Sequence, residues 1–120
     1  MSNLLFAWLL VFLAGLNSTI GNLLLKKSRE QEFLNFFDSL LNLWFFGGIL
    51  FYIINVLLFV KALELLPVSQ AYPVLAGFGF LLLTVSANVL LGESLNLNHY
   101  IGIAFIVFGI FLLSYSTNLF

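Results

Sequence analysis

The chain has 120 residues, of which 62% are hydrophobic and 8% are charged, with a formal net charge of −1. A water-soluble domain needs a charged, solvated surface, so this composition predicts a protein that lies in a lipid bilayer. The charge balance offers no basic surface for nucleic acid, and the lack of cysteine excludes disulfides and thiolate-bound metals. A spanning helix needs about 20 apolar residues, so four such helices and their connections would use the whole length. We therefore expect one transmembrane domain, residues 1–120.

The expected helices are apolar runs separated by short connections. The link around Pro67 is so short that the second and third helices must be antiparallel neighbours. Four helices are too few to enclose a transport path, so we expect a dimer, formed with a second copy or with a related chain. We place the helices at about residues 4–25, 43–65, 69–91 and 100–115.

The first helix carries a polar stripe. Gly15, Ser18 and Asn22 recur at positions i, i+3 and i+7 and therefore share one helical face, which Lys26 continues to the membrane edge. The stripe could line a substrate path. It could equally join helices, because small and hydroxyl residues permit close packing and interhelical hydrogen bonds. The three basic residues at the end of this helix favour a cytoplasmic position for the first connection.

The second helix offers two polar side chains on one face. Tyr52 and Asn55 are three residues apart and so lie on neighbouring turns. In hydrocarbon a hydroxyl or amide group needs a hydrogen-bond partner, which either a neighbouring helix or a ligand could supply. Trp44, near the start of the helix, suits the aromatic belt at a membrane interface.

The third helix is the most informative, because Tyr72 and Pro73 precede Gly77 and Gly79. Pro73 leaves a backbone carbonyl without its helical donor, and nearby glycines allow the helix to bend. A bent helix suits a gate, although membrane helices also tolerate proline and glycine without any gating role.

The fourth helix is apolar apart from its ends. Gly102 and Gly109 are seven residues apart, about two turns, so they share a face that permits tight helix packing. The helix that packs on this face could belong to a second protomer or to the same chain.

The sequence offers no catalytic constellation. It contains no Ser-His-Asp set, paired carboxylates, glycine-rich phosphate loop or cluster of metal ligands. The single histidine, His99, precedes the fourth helix and is expected to be a solvated interfacial residue. We therefore expect no enzymatic activity, no cofactor and no metal.

Residues 62–72 read A-L-E-L-L-P-V-S-Q-A-Y. This string resembles the A-L-x-x-I/L-P-x-x-x-A-Y signature of small multidrug resistance transporters, which belong to the drug/metabolite transporter superfamily. Gly77 and Gly79 match the G-x-G of the family's third helix, and Gly102 and Gly109 match a spacing associated with dimerisation. The resemblance is strongest in the second half of the chain and weak in the first helix. It implies an all-α bundle of four transmembrane helices that functions as a dimer.

The coupling chemistry of the family's proton-coupled exporters is not matched. In those proteins a glutamate of the first helix binds both the cation and the proton. Alignment on Gly21 and Lys26 places Ser18 at that position, and a serine can neither titrate nor neutralise a cation. Leu75 stands where the exporters typically carry a tryptophan. Two aromatic site positions of the family are retained, Tyr52 and Tyr72.

Residues 67–75, P-V-S-Q-A-Y-P-V-L, match in full the P-x-x-x-A-Y-P-x-L pattern of one subgroup that also lacks the glutamate. This subgroup comprises the flippase subunits for aminoarabinose carried on undecaprenyl phosphate. Such a substrate keeps its tail in the bilayer and needs only an uncharged polar groove for its head. Lys26 and Lys27, at the membrane edge, would attract the lipid phosphate.

The resemblance therefore implies a multi-pass transporter of the plasma (inner) membrane. The leading hypothesis is translocation of a polyprenyl-phosphate-linked sugar or a similar amphiphile by alternating access. The alternatives are an exporter of small organic cations or metabolites, and a non-transporting subunit that completes a related chain. The expected groove residues are Ser18, Asn22, Tyr52, Asn55 and Tyr72.

Overall fold

The computed structural model describes residues 2–30 and 35–115. These two ranges consist of helices and their connections, without a strand, which confirms the all-α prediction. The expected domain also includes residues 1, 31–34 and 116–120, which lie outside the described ranges. The helices are α1 (Ser2–Ser28), α2 (Phe36–Ser39), α3 (Leu43–Ala62), α4 (Val68–Leu91) and α5 (Leu97–Tyr115).

Three helices are long and apolar enough to cross a membrane, namely α1 from Asn3 to Ser28, α3 and α4. The fourth predicted span is present as a shorter apolar helix, Leu97–Leu113 within α5. Large apolar side chains cover the outer surfaces of these helices. Such surfaces suit contact with lipid tails, which are as apolar as the side chains themselves.

The helix ends differ slightly from the predicted ones, for local reasons. α3 ends at Ala62 rather than near residue 65, because the next bonds have turn spacing: the Glu64 N–H bonds the Lys61 carbonyl at 3.2 Å, the Leu65 N–H bonds the Ala62 carbonyl at 3.1 Å, and Pro67 follows. α2 was not expected at all. Asn35 directly precedes it, and the Asn35 side-chain oxygen accepts a hydrogen bond of 2.8 Å from the Asp38 N–H and so caps the helix.

Helix α1 is the centre of the bundle, since it packs along both α3 and α4, while α5 packs on α4. Its inner face carries small residues, and Ala7 and Ala14 are fully buried. Small side chains allow two helices to approach α1 closely on adjacent sides. The buried apolar core comprises Ala7, Leu10, Val11, Ala14, Ala62, Leu66, Ala71 and Leu75.

Two glycines set the crossing of α1 and α3. A Cβ atom added at Gly21 would lie 2.9 Å from Tyr52 Cδ2 and 3.2 Å from the Gly48 carbonyl oxygen. A Cβ at Gly48 would lie 2.8 Å from Leu25 Cδ2 and 3.1 Å from the Gly21 carbonyl oxygen. Both positions therefore require glycine for the helices to meet this closely. This crossing fixes the register that brings the ring of Tyr52 against α1.

Candidate functional site: a polar cavity between three helices

A polar cavity of about 330 Å³ lies between α1, α3 and α4. This volume falls in the range of about 300–1,000 Å³ that is typical of small-molecule sites. All five residues that the sequence predicts for the groove line this one cavity. The complete lining is Ser18, Asn22, Tyr52, Asn55, Tyr72, Leu75, Ala76, Gly79, Phe80 and Leu83.

A short hydrogen bond joins two sides of the cavity. Tyr52 Oη on α3 donates to Asn22 Oδ1 on α1 at 2.5 Å. The bond uses the only proton of the phenol, so the Tyr52 oxygen presents only lone pairs to a ligand. The Asn22 amide nitrogen keeps two N–H donors. The pair therefore fixes both side chains and leaves acceptor and donor groups beside each other.

Ser18 and Tyr72 form the remaining polar lining. The Ser18 hydroxyl makes no hydrogen bond to another residue within the described ranges, so it is available as donor and acceptor. The Tyr72 ring packs edge-on against Phe59, with centroids 6.2 Å apart and planes at 63°. Tyr72 is 56% exposed, so much of its ring stays uncovered within the single chain.

The apolar part of the lining was not predicted as a set. These apolar residues belong to α4 and lie on the same helical face as Tyr72. Periodicity alone could have identified them, because positions three, four, seven, eight and eleven residues after Tyr72 lie on one helical face. These residues are Leu75, Ala76, Gly79, Phe80 and Leu83.

Among the residues that the structure describes, no charged side chain lines the cavity. Its polar groups are hydroxyls and amides, which can hydrogen-bond a neutral polar molecule from several directions. An isolated charge is costly at membrane depth unless an opposite charge pairs with it. The arrangement therefore suits an uncharged polar head and provides no carboxylate that could neutralise a buried cation.

Thr19 lies beside the cavity lining but has a different role. Its side chain is buried and its hydroxyl oxygen lies 3.0 Å from the Gly15 carbonyl of its own helix. The same oxygen lies 3.3 Å from the Gly79 carbonyl of α4. One hydroxyl proton is thus shared between α1 and α4, which stabilises their contact at the edge of the cavity.

The three cations at the end of α1 have different surroundings. Lys27 Nζ lies 3.4 Å from Glu30 Oε2 and 5.9 Å from the centre of the Trp44 ring. Arg29 Nη1 donates to Ser39 Oγ at 2.7 Å, and its Nη2 donates to the Ser39 carbonyl. Lys26 is exposed and forms no ion pair among the described residues. It follows Asn22 by four residues, about 6 Å along the helix on the same face.

The predicted bend residues of α4 do not all face the polar cavity. Gly79 lines it, whereas Pro73 and Gly77 line a separate apolar cavity of about 390 Å³ between α4 and α5. A Cβ atom at Gly77 would overlap Ile110 of α5. α4 continues as one helix through Pro73. Gly77 is thus also a packing site for α5.

The predicted dimer residues of α5 lie away from the polar cavity. A Cβ atom at Gly102 or at Gly109 would meet no atom within 4 Å. Within the described chain these two glycines therefore have open space beside them rather than a tightly packed helix. Their role in a dimer stays a prediction.

A model of the family described as Small Multidrug Resistance protein matches residues 6–106. The chain belongs to the small multidrug resistance family. The resemblance read from the sequence is therefore confirmed. Family membership, together with the apolar helices, supports a membrane transporter and favours transport over enzymatic chemistry.

Individual relatives add detail to the family assignment. The chain is 48% identical over 108 residues to the uncharacterized protein y4nH of Sinorhizobium fredii. The aligned region covers 88% of this chain and 92% of that protein. The chain is 44% identical over 62 residues to a protein of Yersinia pseudotuberculosis named as a probable 4-amino-4-deoxy-L-arabinose-phosphoundecaprenol flippase subunit ArnE. A Yersinia pestis protein of the same name shows the same identity. The match spans 54% of each ArnE protein and 52% of this chain.

Proposed function

We propose that the chain translocates a polyprenyl-phosphate-linked sugar, or an amphiphile of similar chemistry, across the inner membrane by alternating access. The observation that carries this proposal is the uncharged polar cavity, which opens among helices whose outer surfaces are apolar. A sugar head needs hydrogen bonds but no counter-charge. Its lipid tail can remain in the bilayer while the head enters the cavity. The similarity to ArnE proteins supports the same substrate class.

The lipid phosphate would stay at the mouth of the cavity. Moving an anion to mid-membrane is costly, whereas a lysine near the headgroups attracts anionic lipid at about 1 kcal/mol per residue. Lys26 lies on the same helical face as Ser18 and Asn22 and ends that stripe at the membrane edge. We assign the phosphate chiefly to Lys26, with Lys27 contributing less because Glu30 already pairs with it.

Replacing Lys26 is expected to weaken binding of a polyprenyl phosphate more than replacing Lys27. Losing the attraction of one lysine for the lipid phosphate, about 1 kcal/mol, lowers the affinity about fivefold. We expect Lys26→Gln to show this loss and Lys27→Gln to stay within about twofold of the parent. Titration of purified protein with farnesyl phosphate, at low and high salt, measures both. Equal losses for the two variants would contradict the assignment, and the Lys26 effect should shrink at high salt.

The alternating-access step would require a second four-helix chain and a helix that can bend. The single chain leaves space beside Gly102 and Gly109, and we propose that a copy or a related chain packs there. Pro73 removes one helical hydrogen bond from α4, and Gly77 and Gly79 lower the resistance of the next turn to bending. These residues would let α4 open the cavity to either side.

The direct test is reconstitution in liposomes with a short-chain polyprenyl phosphate that carries a fluorescently labelled sugar. Dithionite added outside destroys only the label in the outer leaflet, so translocation appears as loss of the protected fraction. We expect protein-dependent loss from liposomes that contain the chain. A rate equal to that of protein-free liposomes would refute translocation by this chain alone, and activity only after addition of a related chain would identify a heterodimer.

Export of small organic cations or metabolites is the second candidate, and the match to the multidrug family model favours it. Coupling such export to protons requires a titratable group at the site. The described residues that line the cavity provide no carboxylate, so we expect no proton release when a quaternary ammonium compound is added to weakly buffered purified protein. Measurable ligand-triggered proton release would favour the exporter over the flippase.

A further inference from the structure

The connection between α1 and α3 has polar groups inside and large apolar groups outside. Ser28 is 1% exposed and Ser39 is 5% exposed, and both hydroxyl oxygens accept hydrogen bonds from Arg29. A connection that lies in water has the opposite arrangement, because burial favours apolar side chains and water solvates polar ones. Four large apolar side chains here are between 68% and 86% exposed, and we call them the α2 surface: Phe36, Phe37, Leu41 and Leu43.

The single turn of α2 separates the two kinds of side chain. Successive residues of a helix are about 100° apart, so Phe36 and Phe37 lie on one side of α2, and Asp38 and Ser39 on the other. The two rings meet edge to face with centroids 6.3 Å apart. Asp38 is exposed. Amphipathic helices of this kind lie at the boundary between headgroups and acyl chains, with their apolar side in lipid.

Several backbone groups of the connection are already hydrogen-bonded within the protein. Asn42 Nδ2 donates to the Ser39 carbonyl at 2.7 Å, and Asn42 Oδ1 accepts a bond of 2.9 Å from the Phe45 N–H. The Leu40 N–H bonds the Phe37 carbonyl at 3.1 Å. Backbone groups that have partners cost less to move from water into lipid than unpaired ones. The connection can therefore enter the membrane interface without leaving these groups unpaired.

The position of the α2 surface indicates what covers it. α2 joins the end of α1 to the start of α3, and both of these helices are long and apolar enough to cross a membrane. The joined ends must therefore lie at the edge of the hydrocarbon. Lys27 Nζ lies 5.9 Å from the centre of the Trp44 ring, and both residue types are typical of this level. An exposed apolar surface at this level meets the bilayer.

We propose that the connection is a membrane anchor and that its partner is the lipid of the bilayer interface, into which the α2 surface inserts. The anchor fixes the depth at which α1 and α3 end, and therefore the level of Lys26 in the membrane. It does not depend on the identity of the substrate, so it holds or fails separately from the proposed function.

Single-cysteine labelling tests the anchor, because the chain contains no native cysteine. Phe37→Cys, Leu41→Cys and Asp38→Cys each receive a nitroxide spin label in vesicles of phosphatidylcholine and phosphatidylglycerol. Power-saturation EPR compares the collisions of each label with oxygen, which concentrates in lipid, and with a water-soluble nickel chelate. We expect the labels at positions 37 and 41 to favour oxygen, about 5–10 Å into the boundary between headgroups and acyl chains. The label at position 38, on the polar side of α2, is the matched control and should favour nickel.

Two outcomes would overturn the anchor. Equal nickel accessibility at all three positions would place the connection in water. Shielding of positions 37 and 41 from both reagents would show that protein covers the α2 surface, and dipolar broadening that disappears on dilution with unlabelled protein would identify a second copy.

A second substitution tests whether the α2 surface causes the insertion. In Phe36→Ser the label of Leu41→Cys should become more accessible to nickel, because α2 loses one of its two rings. Phe105→Ser is the control, since Phe105 of α5 is similarly exposed, at 72%, but lies outside the connection. Equal nickel accessibility in the two backgrounds would show that the rings of α2 do not hold the connection in lipid.

Discussion

Asn22→Leu is expected to abolish translocation while the protein remains folded. The substitution removes the acceptor for Tyr52 Oη and both amide donors that face the cavity. It also places an apolar side chain where a polar head would bind. The loss of two hydrogen bonds to the substrate should lower the translocation rate about a hundredfold at low substrate concentration. Dithionite protection of a labelled polyprenyl-phosphate sugar in proteoliposomes measures the rate.

The matched control is Asn17→Leu. Asn17 lies on the same helix and donates its amide to the Leu13 carbonyl at 2.9 Å, outside the cavity lining. It should therefore transport at close to the parent rate. Thermal unfolding in detergent separates the functional effect from instability, since both variants exchange an asparagine of α1 for leucine. Unchanged transport by Asn22→Leu would show that the cavity is not the path of the head.

The polar stripe of α1 could be predicted because helical periodicity is a local property. Ser18 and Asn22 must lie on one face of any regular helix that contains them, and both do line the cavity. The approximate extent of the three long spans follows equally from the hydrocarbon thickness, which requires about 20 apolar residues. Sequence reasoning was therefore sufficient for the long helices and for the polar face of α1.

Contacts between elements could not be predicted in the same way. The bond from Tyr52 to Asn22 joins residues 30 positions apart and depends on the helix register that Gly21 and Gly48 permit. Neither the periodicity of α1 nor that of α3 specifies that register. The sequence consequently left open whether Asn22 joins helices or lines a path. In the structure its side chain does join two helices and also lines the cavity.

The different surroundings of the three cations also required the structure. In the sequence Lys26, Lys27 and Arg29 form one basic cluster. The partner of Lys27, Glu30, lies in the turn after α1, and the partner of Arg29 is Ser39, ten residues further along the chain. The short helix α2, which brings Ser39 to Arg29, has only four residues. Such a short element leaves no periodic signal. The sequence therefore could not show which of the three cations has a partner.

Ser18→Glu is expected to give the cavity an affinity for small organic cations that the parent protein lacks. Ser18 lies on α1 and lines the cavity. By the resemblance of this chain to the family's proton-coupled exporters, those exporters carry a glutamate at the corresponding position. A carboxylate about 4 Å from a cation contributes about 4 kcal/mol at an effective dielectric constant of about 20. Part of this is lost to desolvation, so we expect a net gain of about a hundredfold in affinity. The rings of Tyr52 and Tyr72 would add cation–π contacts.

Titration with phenyltrimethylammonium at several pH values measures this gain. Only the ionised carboxylate attracts the cation, so affinity should rise with pH and binding should release protons into a weakly buffered solution. Ser18→Gln has nearly the same size without the charge and should bind the cation no better than the parent. If Ser18→Glu and Ser18→Gln behave alike, position 18 does not face a ligand site. If only Ser18→Glu binds the cation, position 18 faces the ligand site, and one carboxylate is enough to give this cavity an affinity for cations.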